Sequence, residues 1–265
     1  MVFRDGYSGS SFSELLQADY PQMDPGTRFK DIVIPKAEVD SIPHGTTVLA
    51  LRYESGVLVA GDRLATAGYQ VASRDVRKVY PVDSHALIAI AGAAGPAIEM
   101  SRLMSVELEH YEKIEGEQLE LDGKANKLSS MIRAHMPMAM QGLTVVPIFA
   151  GYDRRRSVGR IWKFDVTGGR YEEAEFDTTG SGGIFAKDSL KKRYRKGASR
   201  IEAIEMAIEA LTDAADDDRG TGGVDLLRKI FPIVCMCSES GIEEVPEQEV
   251  AEVYSALMQR RQQES

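Results

Sequence analysis

The segment His44-Gly45-Thr46-Thr47 opens a run dense in β-forming residues, TTVLALRY, and the Thr46 hydroxyl is its group with most chemistry to offer. A threonine hydroxyl is a weak nucleophile at neutral pH because its proton is held tightly, so it needs a base within hydrogen-bond reach. A free α-amine, whose ordinary pKa is about 7.7–8.0, supplies that base when the threonine is itself the first residue of the chain. Cutting Gly45–Thr46 would therefore create nucleophile and base in one event. A glycine at 45 leaves its carbonyl open to the neighbouring hydroxyl. The residues before Thr46 would then be a leader that hides the amine. A strand that begins on two threonines after a glycine is also ordinary β-structure, and on these residues alone both readings stand.

Other reactive side chains point less far. His44, His85, His110 and His135 lack the spacing of metal ligands, and neither a G-x-S-x-G nor a Walker sequence occurs. Cys235 and Cys237 form a C-x-C on an apparent strand, where alternation sends both thiols to one face. With no further cysteine in the chain, two reduced thiols beside a core fit better than a metal pair. The run Gly180-Ser181-Gly182-Gly183 either receives a phosphate at a helix N-terminus or makes a tight turn that lets two backbones approach. The basic run at 191–200 reads as a solvated helix end. Asp213 and Asp216–Asp218 read as a helix terminus before the loop RGTGG rather than a divalent-ion site. Met100, Met104, Met131, Met136, Met138 and Met140 read as fillers of core or subunit contacts. No metal or cofactor is expected.

These groups must be positioned by a chain of 265 residues, 43% hydrophobic, which is enough for one sizeable core. A net charge of −9 and a pI near 5.1 exclude nucleic acid and anionic membrane as expected partners, since both attract clustered Lys and Arg. No signal-like run begins the chain and no segment approaches the ~18 apolar residues of a membrane span, so a cytoplasmic protein is expected. Residues 1–45, rich in Gly, Ser, Pro and Asp, read as an extended leader. From Thr46 a β-hairpin is expected over TTVLALRY and GVLVAGD, followed by strands at RKVYPV and HALIAIAG. Ala97, Met100, Met104, Leu108 and Tyr111 then recur at helical spacing up to Gly116. A second helix follows at 123–141, with Pro137 expected to kink or end it. Strands are expected at TVVPIFAGYD, RIWKFD and RYEEAEFD, then a Gly-rich turn and helix over 178–194. A strong amphipathic helix over SRIEAIEMAIEALTDAADDD, a buried strand at FPIVCMC and a closing helix complete the chain. Such grouping of strands and helices suggests antiparallel sheets with helices packed outside.

The blocks GTTVLALRYESGVLVAGDRLATAGYQVASRDVRKVY, IAIAGAAGPAIE, HYEKIEG, GSGGIFAKDSLKK and DDDRGTGGVDLLRKIFP, in this order, resemble the β-subunit family of the bacterial, actinobacterial-type 20S proteasome. The resemblance runs from about His44 to the region of Val245. It implies an α+β fold, the four-layer αββα sandwich of the N-terminal-nucleophile hydrolases, with two stacked antiparallel sheets flanked by helices. It also implies that residues 1–45 are a propeptide and residues 46–265 a single catalytic domain. The implied activity is that of a threonine endopeptidase, a zymogen activated by cleavage of its own Gly45–Thr46 bond.

The resemblance carries roles to individual residues. Thr46 matches the nucleophile, Asp62 in AGDR and Lys78 in VRKVY its acidic and basic partners, although either of these alone would read as a surface ion pair. Gly92 matches the position whose backbone N–H stabilises the oxyanion, and Ser181, Asp218 and Thr221 the group that orders the Thr46 amine. The family pattern has Ser where this chain has Thr221. Thr66 matches a residue whose backbone pairs with an extended substrate, while Ala65, Val76, Ile90, Ala94, Ala97 and Ile98 would line the pocket for the side chain preceding the cut. That lining carries no charge, which implies cleavage after apolar residues, large ones included. Implied partners are proteasome α subunits and further β subunits in stacked heptameric rings. Beyond them the resemblance implies an ATPase ring docked on the α rings and protein substrates, some tagged by a ubiquitin-like modifier. Two alternatives stay open: another N-terminal-nucleophile enzyme, such as the simpler two-ring peptidase or an amidase, and a non-catalytic ring subunit.

Overall fold

In the first hairpin, β1 (Thr47–Tyr53) and β2 (Gly56–Gly61) pair antiparallel, with Val48 opposite Gly61 and Tyr53 opposite Gly56. Val48, Ala50, Val57 and Val59 face one side of the sheet and Leu49, Leu51, Leu58 and Ala60 the other, and all eight are fully buried. Burial on both faces explains why these strands read as continuous apolar runs rather than as an alternation. The computed structural model describes residues 7, 9–24, 45–68 and 70–264. His44 and residues 25–44 of the expected leader lie outside the described residues.

Downstream come β3 (Ala65–Ala67), β4 (Gln70–Ser73), β5 (Val79–Asp83) and β6 (Ala86–Gly92), then helices α2 (Ala94–Glu115) and α3 (Leu121–Ala139). Strands β7 (Val145–Asp153), β8 (Val158–Phe164), β9 (Arg170–Glu173) and β10 (Phe176–Gly180) precede α4 (Gly183–Arg193) and α5 (Arg200–Asp217). The chain closes with β11 (Ile233–Ser238), β12 (Gly241–Glu244) and α6 (Glu247–Glu264). One five-stranded sheet runs β10-β1-β2-β11-β12 and the other β5-β6-β7-β8-β9, every pairing antiparallel.

Three apolar clusters divide the molecule into four layers. Val48, Val59, Leu87, Ile148 and Ile161 lie between the sheets, with Cys235 and Cys237 on the same inward face. Leu49, Leu58, Ile204, Leu211 and Leu257 join the first sheet to α4, α5 and α6, and Ile88, Met104, Leu128 and Trp162 join the second sheet to α2 and α3. This is the αββα sandwich. Burial pushes both cysteine thiols up to about 12 and keeps them inert. Among the described residues no group of His, Cys, Asp and Glu is arranged to hold a metal, and no helix is long and apolar enough to cross a membrane.

Three local expectations need correction. The leader is not wholly extended: Phe12–Asp19 form a helix, α1, capped by Ser11 and packed through Leu15 and Leu16. The segment RYEEAEFD is two strands, β9 in the second sheet and β10 in the first, because the chain changes sheets at Ala174–Glu175. Thr178 to Gly180 belong to β10 rather than to the turn, which starts at Ser181. Pro137 sits in the last turn of α3, which stops at Ala139 as expected of a helix ended by proline. Of the methionines, Met100, Met104 and Met131 fill the core as expected, and Met140 is exposed.

Candidate active site

Strand ends converge at one edge of the sandwich. Thr46 precedes β1, Asp62 follows β2 and Ser181 follows β10. The registers Val48 to Gly61 and Thr47 to Gly180 bring these three ends together. From the second sheet come Lys78, just before β5, and Gly92, the last residue of β6. Asp218 caps the C-terminus of α5 and Thr221 lies in the loop behind it.

Asp62 is buried and fully engaged. One carboxylate oxygen accepts the Thr47 backbone N–H at 2.7 Å and the Lys78 ammonium at 2.7 Å. The other accepts the N–H groups of Leu64 at 2.9 Å and Gly222 at 2.8 Å. Held by Asp62, Lys78 also donates to the Leu64 carbonyl at 2.5 Å and to the Gly45 carbonyl at 3.2 Å. Burial pushes Lys78 below its ordinary 10.5, while the charge and hydrogen bond of Asp62 oppose that shift. The Thr46 hydroxyl donates to the same Gly45 carbonyl oxygen at 2.5 Å. Nucleophile candidate, lysine and the carbonyl of the bond in question therefore meet at one point.

Gly45 sits at φ +95°, a left-handed conformation, and a Cβ there would lie 2.5 Å from the Thr66 hydroxyl and 3.1 Å from the Gly220 carbonyl oxygen. No other residue fits before Thr46 without displacing those neighbours. At Gly92 a Cβ would stand 2.0 Å from the Thr144 carbonyl oxygen, so the close approach of β6 and β7 depends on glycine.

Behind Thr46, the Ser181 hydroxyl and the Thr221 hydroxyl each donate to Asp218 Oδ2 at 2.6 Å. The Thr46 backbone N–H reaches Ser181 Oγ at 3.5 Å, at the outer limit of a hydrogen bond, and the Ser181 N–H donates to the Thr46 carbonyl at 2.8 Å. Every catalytic candidate named from the sequence is thus gathered around Thr46. Gly180 and Gly182 make the tight approach, where a Cβ would lie 2.0 Å from the Thr46 carbonyl oxygen and 2.3 Å from Thr221 Oγ1, and the basic run forms ion pairs such as the half-buried Arg193–Glu209 and the exposed Arg195–Glu202.

Beside Thr46 opens an apolar pocket of about 20 Å³, lined by Ala65, Val76, Ile90, Ala94, Ala97 and Ile98 together with Gly45, Lys78 and Gly92. Thr66 stands at its rim on β3, next to Gly45. The expectation of a lining without charge needs correction, because Lys78 and Arg77 also line the pocket, together with Tyr80; Arg77 and Tyr80 were not singled out from the sequence. Tyr80 was within reach of sequence reasoning: two residues beyond Lys78 on a strand, it shares the lysine's face.

With this geometry in view, residues 42–227 match the family described as proteasome subunit. The chain belongs to the proteasome subunit family. It is 49% identical over 252 residues to the proteasome subunit beta of Streptomyces griseus, covering 95% of this chain and 89% of that protein. The proteasome subunit beta of Stackebrandtia nassauensis is 51% identical over 257 residues, covering 95% and 91%. That of Jonesia denitrificans is 48% identical over 264 residues, covering 99% and 86%. All three organisms are actinobacteria. Within the proteasome family, then, the likeness is to β subunits along nearly the whole chain, residues before Thr46 included.

Proposed function

We propose that this chain is the catalytic β subunit of a 20S proteasome core, a threonine endopeptidase made as a zymogen with residues 1–45 as its propeptide. The observation that carries the reading is the meeting of the Thr46 hydroxyl and the Lys78 ammonium on the Gly45 carbonyl oxygen, at 2.5 Å and 3.2 Å. In the first step Thr46 Oγ adds to the Gly45 carbonyl carbon and gives its proton to Lys78 in its neutral form or to a water. As that proton passes to the Thr46 nitrogen, collapse of the intermediate breaks the C–N bond, leaving the nitrogen as an amine and an ester on Thr46 Oγ. Water hydrolyses the ester, releasing the leader as a carboxylate and freeing the Thr46 amine. In the mature enzyme that amine and Lys78 manage the Oγ proton as the hydroxyl attacks a substrate carbonyl.

The remaining residues take roles around this step. Asp62 keeps Lys78 oriented, and the Gly92 N–H stabilises the oxyanion, a contribution of about 3 kcal/mol for one such donor. Ser181, Asp218 and Thr221 order the Thr46 amine. Thr66 pairs with the extended substrate backbone, and the pocket, apolar except for Arg77 and Lys78 whose cations are held by Glu244 and Asp62, favours an apolar side chain before the cut. The subunit works in the cytoplasm, in heptameric β rings between α rings, fed by an ATPase ring with unfolded and tagged proteins. Enclosure suits a protease of such loose selectivity.

The test is to assemble the chain with its α partner, treat it with an electrophilic peptide carrying an apolar residue at the reactive end, and locate the adduct by mass spectrometry. Modification of Thr46, together with cleavage of fluorogenic peptides after apolar residues, is expected. An adduct elsewhere, or cleavage mainly after Arg or Glu, would overturn the assignment.

A further inference from the structure

Thr47 follows the nucleophile and points the other way, since successive side chains on a strand alternate. Its side chain is fully buried. Its hydroxyl lies 2.6 Å from the Thr221 hydroxyl and accepts the Gly182 N–H at 3.0 Å. The direction of each proton follows from counting. Thr221 has one hydroxyl proton and gives it to Asp218 Oδ2 at 2.6 Å, so toward Thr47 it can only accept. The Thr47 hydroxyl must then donate to Thr221. The Ser181 hydroxyl proton has two acceptors in reach, Asp218 Oδ2 at 2.6 Å and the Thr46 carbonyl at 3.3 Å; on the shorter, charged one it leaves Ser181 Oγ to accept from the nitrogen of Thr46.

The surroundings are shaped for this chain of bonds. A Cβ at Gly182 would lie 2.3 Å from Thr221 Oγ1 and 2.5 Å from Thr47 Oγ1, so the two hydroxyls occupy space that only a glycine leaves. Thr221 is β-branched and therefore stiff at χ1. Its hydroxyl is thereby held between Asp218 and Thr47.

We propose that Thr47 is a positioning residue for the reaction of Thr46. Its hydroxyl fixes a one-way run of hydrogen bonds, Gly182 N–H to Thr47 to Thr221 to Asp218, which anchors the 181–182 turn and keeps Ser181 as an acceptor for the freed Thr46 amine. This rests on the reading of Thr46 as nucleophile. An acceptor beside the amine favours its ammonium form, so loss of the anchor moves Ser181 away and lets the amine lose its proton at lower pH.

The experiment compares assembled cores carrying wild-type chain, Thr47→Ser, Thr47→Val, Thr221→Val and the double valine variant, with Thr46→Ala as control. The readouts are kcat, KM and the pH profile of kcat/KM on an apolar fluorogenic peptide. Thr47→Val is expected to lower kcat about tenfold, the scale of a slight misplacement of reacting groups, with KM within about twofold. The acid limb should move down by about half a pH unit. Thr47→Ser should restore both, and the double variant should be no worse than the worse single one, because the two hydroxyls act as one unit. If Thr47→Val does not assemble, Thr47→Cys, a weak donor of similar size, takes its place with the same expectation. A valine or cysteine variant with wild-type kcat and pH profile, or a serine variant as impaired as the valine, overturns the proposal. A fall in activity with an unmoved acid limb overturns it too, since general loosening scales the profile without shifting it. An active Thr46→Ala core would instead bring down the nucleophile assignment itself, which separates the two failures.

Discussion

Two of the lysine–carboxylate pairs among the described residues, Lys78–Asp62 and Lys127–Glu107, have similar wiring. At one, the buried Asp62 accepts three backbone N–H groups and Lys78, and both side chains are almost wholly withdrawn from water. At the other, the buried Glu107 of α2 accepts the backbone N–H groups of Phe12 at 3.1 Å and Ser13 at 2.8 Å, the Ser13 hydroxyl at 2.8 Å, and Lys127. Lys127, 22% exposed against 5% for Lys78, also donates to the Ser11 hydroxyl at 2.5 Å. Glu107 thus receives the N-terminus of α1, where a helix presents unpaired N–H groups and positive charge. What separates the pairs is what the lysine reaches after its carboxylate. Lys78 reaches the Gly45 carbonyl and burial draws its pKa below the ordinary 10.5, whereas Lys127 reaches the Ser11 side chain and keeps some contact with water. On the proposed function, the same kind of pair serves chemistry when the cation is buried and aimed at a reacting atom, and docking when it is partly exposed and aimed at a helix end.

The largest effect expected from breaking this comparison comes from exchanging each lysine for arginine, which keeps the charge and cannot give up its proton. Lys78→Arg should cut both leader removal and peptide turnover by about a thousandfold, within the range of a lost acid–base group. Lys127→Arg should leave turnover within about twofold. Intact mass of the chain and peptide hydrolysis by assembled cores measure both, and comparable losses from the two variants would erase the distinction.

A smaller effect is expected at the docking pair. Glu107→Gln, made in a Thr46→Ala precursor so that the leader stays attached, should speed amide hydrogen exchange over residues 12–19 at least tenfold. A hydrogen bond to a charged group contributes about 1.5–3 kcal/mol, and about 1.4 kcal/mol is a factor of ten. The same docking should depend on pH. Burial would raise the Glu107 pKa, but Lys127 and the Ser13 donors outweigh it and hold the group below its ordinary 4.5. A carboxylate depressed in the docked state contributes stability that is fully present above 4.5 and is lost as pH falls through the docked value. Protection of α1 should therefore drop below pH 4.5 in the Glu107 precursor and be flat there in the Gln variant. Unchanged exchange in the variant would show that Glu107 does not hold the leader.

What could be read from the sequence follows the strength of each local signal. The β1–β2 hairpin and α5 were legible because an apolar run bounded by turn residues and a Ser199/Glu202 capping box each carry their own boundary. The switch of sheets at Ala174–Glu175 carries no Gly or Pro, so two strands read as one. Helix α1 spans eight residues, too few for a period to declare itself, and its stability comes from Glu107, which is 94 residues away from Ser13. In the site, Thr46, Asp62 and Lys78 could be named because their short motifs resemble those of a family. Thr47 could not, since its partners at 182 and 221 meet it only once the sheet and the loop after α5 are folded.

The central claim, that Thr46 is a nucleophile hidden by its own leader, is tested most directly by the intact mass and N-terminal sequence of the chain after co-expression with its α partner, beside Thr46→Ala. The account predicts a new N-terminus at Thr46 in assembled wild-type cores and a leader retained in the alanine variant. A full-length chain in assembled wild-type cores, or removal of the leader at the same bond in the alanine variant, would contradict it.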